Sequence, residues 1–302
     1  MARWLLRLST ASLVFGLVLV PSGAVVGAEP VHCGAVLTED TVLDRDLVGC
    51  RGDGLVIGAD GITVDLNGHT VTGLGAAETA GVRNRGHDHV VIENGTVQEF
   101  GRGVLLADAR RNLLRDLRVQ FNQSGGVVLV EATKNRVVDC FAAANGGSPP
   151  SSGIALFDSD RNRIEGNEAF ENAYGIGLFD SNGNVLSDND VAPLGSDGNN
   201  DAGIVVVDSS DNRIRDNRAD SNDGDGIRVM STGQRTSITG NLTRRNGDDG
   251  IDADSPRARI GGNVANNNGD LGIAAVSGVR DARGNRASGN GDPRQCVGVR
   301  CT

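Results

Sequence analysis

Glycine followed by Leu, Val or Ile returns along nearly the whole chain at an almost fixed interval. The anchors are Gly54, Gly81, Gly103, Gly126, Gly153, Gly175, Gly203, Gly226, Gly250 and Gly272, most of them 22 to 24 residues apart and three separated by 27 or 28. A chain repeating at this period cannot bury one unit's apolar face alone. It must stack each unit on the next, as a solenoid does. Within a unit the apolar runs are too short for helices. Between Gly203 and Asp225, Ile204 and Val206 alternate on a first strand, Ile214 lies on a second and Ala219 on a third, separated by Asn, Asp, Ser and Gly. Period-two alternation of β-branched residues bounded in this way describes strands and tight turns.

Aligning the units produces columns. On the second strand the expected core column is Val64, Val91, Leu114, Val137, Ile164, Leu186, Ile214, Ile238, Ile260, Ala282. Stacked coils about 4.8 Å apart would bury it continuously. An asparagine column follows: Asn67, Asn94, Leu117, Cys140, Asn167, Asn189, Asn217, Asn241, Asn263, Asn285. Five residues later comes another, Asn122, Asn145, Asn172, Asn222, Asn246, Asn268, Asn290. Asn tolerates the left-handed backbone of a sharp turn, and stacked amides bond along a stack. Cys140 occupies an Asn slot, so a buried, inert thiol is expected. A leucine-rich repeat would need a helix in each unit, and a left-handed β-helix a six-residue beat; neither is present. The expected fold is all-β: a right-handed parallel β-helix of about ten coils with caps at both ends.

The phrases GIALFDSDRNRIEGN, GIGLFDSNGNVLSDN and GIVVVDSSDNRIRDN resemble the parallel β-helix repeat family. That family is shared by pectate lyases, polygalacturonases, alginate epimerases and NosD-type secreted proteins. The resemblance runs from about Thr41 to Asn290. It implies the fold; it leaves the activity open, because this fold carries many.

The expected organisation is a signal peptide over 1–28, an N-terminal cap over 29–53, repeats over 54–290 and a C-terminal cap over 291–302. Arg3 and Arg7 precede a short apolar run, and small residues lead up to Ala28, as in an export signal too short to span a membrane. The expected location is therefore secreted, extracellular or at the cell surface. Losing two arginines and no acid takes the net charge from −10 to −12. An acidic chain disfavours nucleic acid and anionic membranes, and it repels anionic polysaccharide unless a cation bridges them. An exported chain favours disulfides, with Cys33 to Cys50 and Cys296 to Cys301 as the local pairs. Aromatics are few, with Trp4 in the signal and Tyr174 the only tyrosine, which weakens the case for a tight sugar pocket. Insertions at 73–79, 146–150 and 193–200 all precede a Gly anchor, so they leave the solenoid on one side.

Acidic residues give the first candidate site. Asp225 with Arg228, then Asp248, Asp249, Asp252 and Asp254, and finally Asp270 fall in three consecutive units. Counted from the anchors, Asp225 stacks on Asp249 and Asp248 on Asp270. Carboxylates one coil apart repel, which raises a pKa or recruits a cation. Asp225, Asp249 and Arg228 are the catalytic candidates. Asp225, Asp248, Asp249, Asp252 and Asp270 are the calcium candidates, calcium being the cofactor such a group would take. A second column, Asp108, Glu131, Asp158, Asp180, Asp208, is placed either to line a cation groove or to cap turns through side-chain to backbone bonds. His87-Asp88-His89 is the only histidine cluster, and His89 is expected at the turn position of Asn112, Asn135, Asn162, Asn184 and Asn212. Against the resembling enzymes, Gly247-Asp248-Asp249 matches the middle polygalacturonase element, but no His follows His89 and no Lys follows Lys134. The resulting expectation is a secreted, non-catalytic scaffold or binding module for extracellular carbohydrate or the cell envelope. The alternative is a calcium-dependent lyase or epimerase acting on polyuronates.

Overall fold

The computed structural model describes residues 30–146, 150–192, 198–230 and 235–302. The expected signal segment and parts of the insertions at 146–150 and 193–200 lie outside the described residues.

The chain from Val31 to Thr302 winds as a right-handed parallel β-helix. A first sheet of twelve strands runs from Ala35–Leu37 to Cys296–Val297. Every pairing is to the coil before or after and is parallel: Ile154 to Ile176, Ile176 to Ile204, Ile204 to Ile227. The other strands of each coil build a second and a third sheet. These fuse where Val91–Gln98 and Leu113–Gln120 run through the corner between them. Inward residues form unbroken columns; Ile154, Ile176, Ile204, Ile227, Ile251 and Ile273 have no exposed surface. Each such side chain contributes about 1.5–3 kcal/mol by leaving water. No helix among the described residues is long and apolar enough to cross a membrane.

The glycine anchors mark a close approach between coils. A Cβ on Gly226 would lie 2.6 Å from the Gly250 carbonyl oxygen and 2.7 Å from Asn246 Nδ2. The asparagine columns are hydrogen-bonded ladders in which each Oδ1 accepts the backbone N–H, and usually the amide, of the Asn one coil earlier. Asn217 donates to Asn241 Oδ1 through its backbone and its side chain, both at 3.0 Å, and Asn241 does the same to Asn263. Cys140 sits among them with no exposed thiol; its N–H donates to Asn167 Oδ1, and burial pushes the thiol up to about 12.

Four register expectations change. Ile92, not Val91, joins the core column, pairing with Val64 and Leu114. Ala282 drops out because the register shifts, Ile260 pairing with Asp281 and Gly261 with Arg283. Asn67 and Asn94 are exposed left-handed turn residues (φ 51° and 60°), and Gly95 rather than Asn94 pairs with Leu117. Finally, His89 does not align with Asn112. The Val90 N–H donates to Asn112 Oδ1, so His89 belongs one residue earlier, with Arg111, Lys134 and Arg161. The gap in the last ladder is filled by Asn199, which accepts from Asn172 at 3.2 Å and donates to Asn222 at 3.3 Å.

Both ends carry a disulfide. Cys33–Cys50 (Cα–Cα 5.3 Å) closes residues whose three strands pair with the next coil. Cys296–Cys301 (Cα–Cα 6.2 Å) ties the last strand to a bridge with Asn285. A loop spanning 17 residues, as in the first, stabilises by about 3 kcal/mol in the chain-entropy model.

Candidate functional site

Alternation on the first sheet turns every second side chain outward. Val205, Arg228 and Asp252 occupy one outward row in successive coils. The turn entering these strands holds the acids. The Asp249 N–H donates to Asp225 Oδ1 at 2.9 Å, the Leu271 N–H to Asp249 Oδ1 at 2.7 Å, and the Asp270 N–H to the Asp248 carbonyl at 3.1 Å. Asp225, Asp248 and Asp249 bring ligand oxygens within 4.8 Å of one another. Asp252 and Asp270, expected with them, lie outside that group. Asp252 faces outward beside Arg228, and Asp270 reaches Asp249 only through its charge.

Arg228 closes the group on the other side. Its Nε donates to Asp225 and its Nη1 to Asp201 Oδ1 at 3.0 Å. Asp225 is almost fully buried, and burial raises its pKa despite Arg228. Burial and then neighbouring carboxylates push Asp249 up to about 6 and Asp252 up to about 7. Two carboxyls that change charge near neutrality beside a guanidinium can exchange protons or take up a hard cation. Tyr174 borders the same place, its hydroxyl pKa raised by burial and by Asp201.

The outward face next to this group is aromatic, which composition alone hid. Phe157 and Phe179 pair in register and stack with centroids 5.0 Å apart and planes 13° from parallel. The Tyr174 ring lies 6.3 Å from Phe179. Gly177 makes the arrangement possible: a Cβ there would stand 2.7 Å from the Phe179 ring. Beside the rings, Leu105, Val128, Ala155 and Val205 face outward yet are nearly buried. The signal lay in the repeat, because Phe follows GIAL and GIGL at the same place in consecutive units.

The remaining candidates stay apart. Asp108, Glu131, Asp158, Asp180 and Asp208 form an exposed row of left-handed turn residues. His69 and His87 each meet one carboxylate of the preceding coil at 3.1 Å, Asp46 and Asp60 respectively. Met230 is exposed and Cys140 buried. Among the described residues, Asp225, Asp248 and Asp249 are the one group of three or more side chains able to share a metal.

A search of the curated proteins finds no match. Among solved structures, the Dettilon tailspike protein gp208 superposes with a TM-score of 0.68 at 18% identity, covering 86% of this chain and 61% of the tailspike. XylC in complex with xylose gives 0.55 at 11%, covering 73% and 44%. The A-module of the Azotobacter vinelandii mannuronan C-5 epimerase AlgE4 gives 0.55 at 16%, covering 91% and 87%. This chain thus spans about three fifths of the tailspike and less than half of XylC. At these identities the likeness is one of fold. A family model described as a right handed beta helix region matches residues 196–291, and one described as periplasmic copper-binding protein (NosD) matches residues 54–242, more than half of the sequence. The chain belongs to the NosD family of right-handed β-helix proteins.

Proposed function

We propose that the chain is an exported, non-catalytic module that binds extracellular or cell-envelope polysaccharide on the outer face of its first sheet. The stacked Phe157 and Phe179 beside Tyr174 carry this reading. An aromatic platform accepts the apolar face of a sugar ring, and polar groups at its edge fix the ring's orientation. Asp201 and Arg228, whose charges reach Tyr174, stand toward that edge. The likeness to a tailspike, to a protein solved with xylose and to a mannuronan epimerase supports a carbohydrate ligand. The family's periplasmic description and the N-terminal segment 1–28 support export.

Copper does not fit this chain's donors as well as it fits the family's description. Copper favours imidazole and soft sulfur ligands. Here His69 and His87 each meet one carboxylate, Cys140 is buried with its thiol pKa raised to about 12, and the grouped donors are hard carboxylate oxygens. Those oxygens suit calcium instead.

The test is calorimetric titration of oligosaccharides into the chain lacking residues 1–28. Phe157→Ala with Phe179→Ala should weaken binding about tenfold, since an aromatic ring contact is worth on the order of 0.5–1.5 kcal/mol per ring. Undiminished affinity would refute the platform. The two raised carboxyl pKa values beside Arg228 favour a second reading, calcium-assisted lysis or epimerisation of a polyuronate. Turnover of pectate or alginate that stops with chelator and with Asp249→Ala or Arg228→Ala would establish it. Silence on both substrates would leave the binding module.

A further inference from the structure

The two ends of the solenoid carry opposite charge. Residues 31–53, the first coil and the turn after it, hold five acids and two arginines, a side-chain charge of −3. Residues 280–302, the end of the last coil and its cap, hold five arginines and two acids, a side-chain charge of +3. Part of this is spent locally: Arg45 pairs with Asp44, Asp53 with Arg83, and Arg294 with Asp292. Glu39, Asp40 and Asp46 remain exposed at the first end, Asp46 beside His69. Among the described residues, no carboxylate oxygen lies within 4.0 Å of the Arg280, Arg283, Arg286 or Arg300 guanidinium. The acid beside them, Asp281, instead accepts the backbone N–H groups of Arg283 at 2.8 Å and Arg300 at 3.1 Å.

Both ends also leave strand edges open. Ala35–Leu37, Thr41–Val42 and Leu47–Cys50 pair with the second coil on one side only. Each turns one valine outward, and Val36, Val42 and Val48 are 62%, 61% and 74% exposed. At the other end, Cys296–Val297 adds one strand to the first sheet, after which residues 298–302 turn back to a bridge between Cys301 and Asn285. Among the described residues no strand covers the outer edge of Arg280–Arg283. A cavity of about 480 Å³, lined by Asp281, Arg283, Gly298, Val299 and Arg300, opens there.

The repeat register matches these groups residue by residue. Asp40 accepts the Thr63 N–H, and the outward row from Thr63, followed coil by coil, ends at Arg259 and Arg280. Asp46 accepts the Thr70 N–H, and the row from Thr70 ends at Val264 and Arg286. On the first sheet, the row from Val36 ends at Ala274 and Val297. We infer that the first coil docks on the last coil of a second copy of this chain, head to tail along one axis. In that arrangement Asp40 stands over Arg280, Asp46 over Arg286 and Val36 over Val297. The second and third sheets lack the strand that the first sheet gains, so their facing charges are about two coil spacings, roughly 10 Å, apart. An extended arginine and a carboxylate together span that gap, and arginine forks bind a carboxylate through two parallel hydrogen bonds. Like ends placed together set acid on acid or arginine on arginine, which excludes the symmetric pairings. A head-to-tail contact of this kind does not close on itself, so it adds copies without limit. The stack carries the outer face of the first sheet from one copy to the next, and it uses none of the residues of the aromatic platform.

Sedimentation velocity of the chain lacking residues 1–28, over rising protein concentration, tests this. The runs are made at about 0.01 M ionic strength, where fields reach about 30 Å, and at about 1 M, where they reach about 3 Å. In low salt the mean mass should climb past that of a dimer without a plateau, and high salt should reverse it. Arg280→Glu with Arg286→Glu should stay monomeric, as should Asp40→Lys with Asp46→Lys. Mixing those two variants restores opposite charges at every junction and should restore assembly. Asp40→Asn with Asp46→Asn keeps the Oδ1 acceptors of the Thr63 and Thr70 N–H groups, so the first coil stays folded, and it should weaken association about tenfold. A monomer at every concentration in low salt overturns the inference, and so does a mass that stops at the dimer, the mark of a symmetric contact. Assembly of the charge-reversed variants by themselves, or none on mixing them when both melt as the wild type does, overturns it as well.

Discussion

Asp252→Asn measures how far the outer face of the first sheet has been taken out of water. Asp252 stands in the outward row beside Arg228, and burial followed by the charges of Asp254, Asp225 and Asp249 raises its pKa from 3.8 to about 7. Each unit corresponds to 1.36 kcal/mol, so keeping this carboxylate ionised in the fold costs at most about 4 kcal/mol. Water still reaches the half-buried group and screens it, which brings the expected cost to about 2 kcal/mol. Because the folded pKa lies above the unfolded one, the fold favours the protonated acid. That contribution is complete below about pH 4 and is lost as pH rises through about 7. Asparagine copies the shape of the protonated acid and never ionises. The variant should therefore melt with the wild type at pH 4 and above it at pH 8. About 2 kcal/mol in a chain of this size is about 3–4 °C in Tm. Calorimetric melts at pH 4, 6 and 8, in low salt with chelator, read the difference directly. A constant offset at all three pH values, or a variant less stable at pH 8, would refute the desolvation argument.

Further outcomes follow from the same contacts. Calcium added at pH 7.5 should raise the Tm of the wild type, by about 2.7 kcal/mol of stability at a hundredfold excess over Kd, and should leave Asp249→Asn unmoved; equal shifts in both would remove the acidic group as the site. Asn241→Ala leaves the Asn217 backbone N–H without its acceptor, while the Asn217 amide keeps the Leu186 and Arg215 carbonyls, and should cost about 1–3 kcal/mol in a urea melt. Gly226→Ala drives a methyl into the Gly250 carbonyl and should cost at least about 3 kcal/mol, with a loss below about 1 kcal/mol showing that the coils can separate locally. Cys140 should resist a thiol reagent in the native protein and react fully in denaturant.

The sequence by itself determined the architecture, because a solenoid repeats its local rules. The glycine interval, the alternating aliphatic pairs and the asparagine columns each arise from contacts between neighbouring coils, so they are written once per coil and can be counted. Both disulfides, the buried Cys140 and the stacking of Asp225 on Asp249 were legible for that reason. Register to a single residue was not. Val91 and Ile92 are both aliphatic, and Asn67 and Asn94 are asparagines like the ladder residues although both stand in exposed turns; only the hydrogen-bond geometry tells which positions face inward. The same limit put His89 beside Asn112 and concealed the row of Arg111, Lys134 and Arg161, since one residue separates a buried ladder from an exposed turn. Asn199 could not be assigned because it follows an insertion that breaks the count. Tertiary structure alone decided what the outer surface gathers. Composition averages seven phenylalanines and thirty-nine acids over the whole chain, whereas stacking places Phe157 on Phe179 and, further along the same sheet, lets burial raise Asp249 and Asp252. The fold follows from repetition along the chain; the site depends on the places where neighbouring coils differ, and a repeat does not record those.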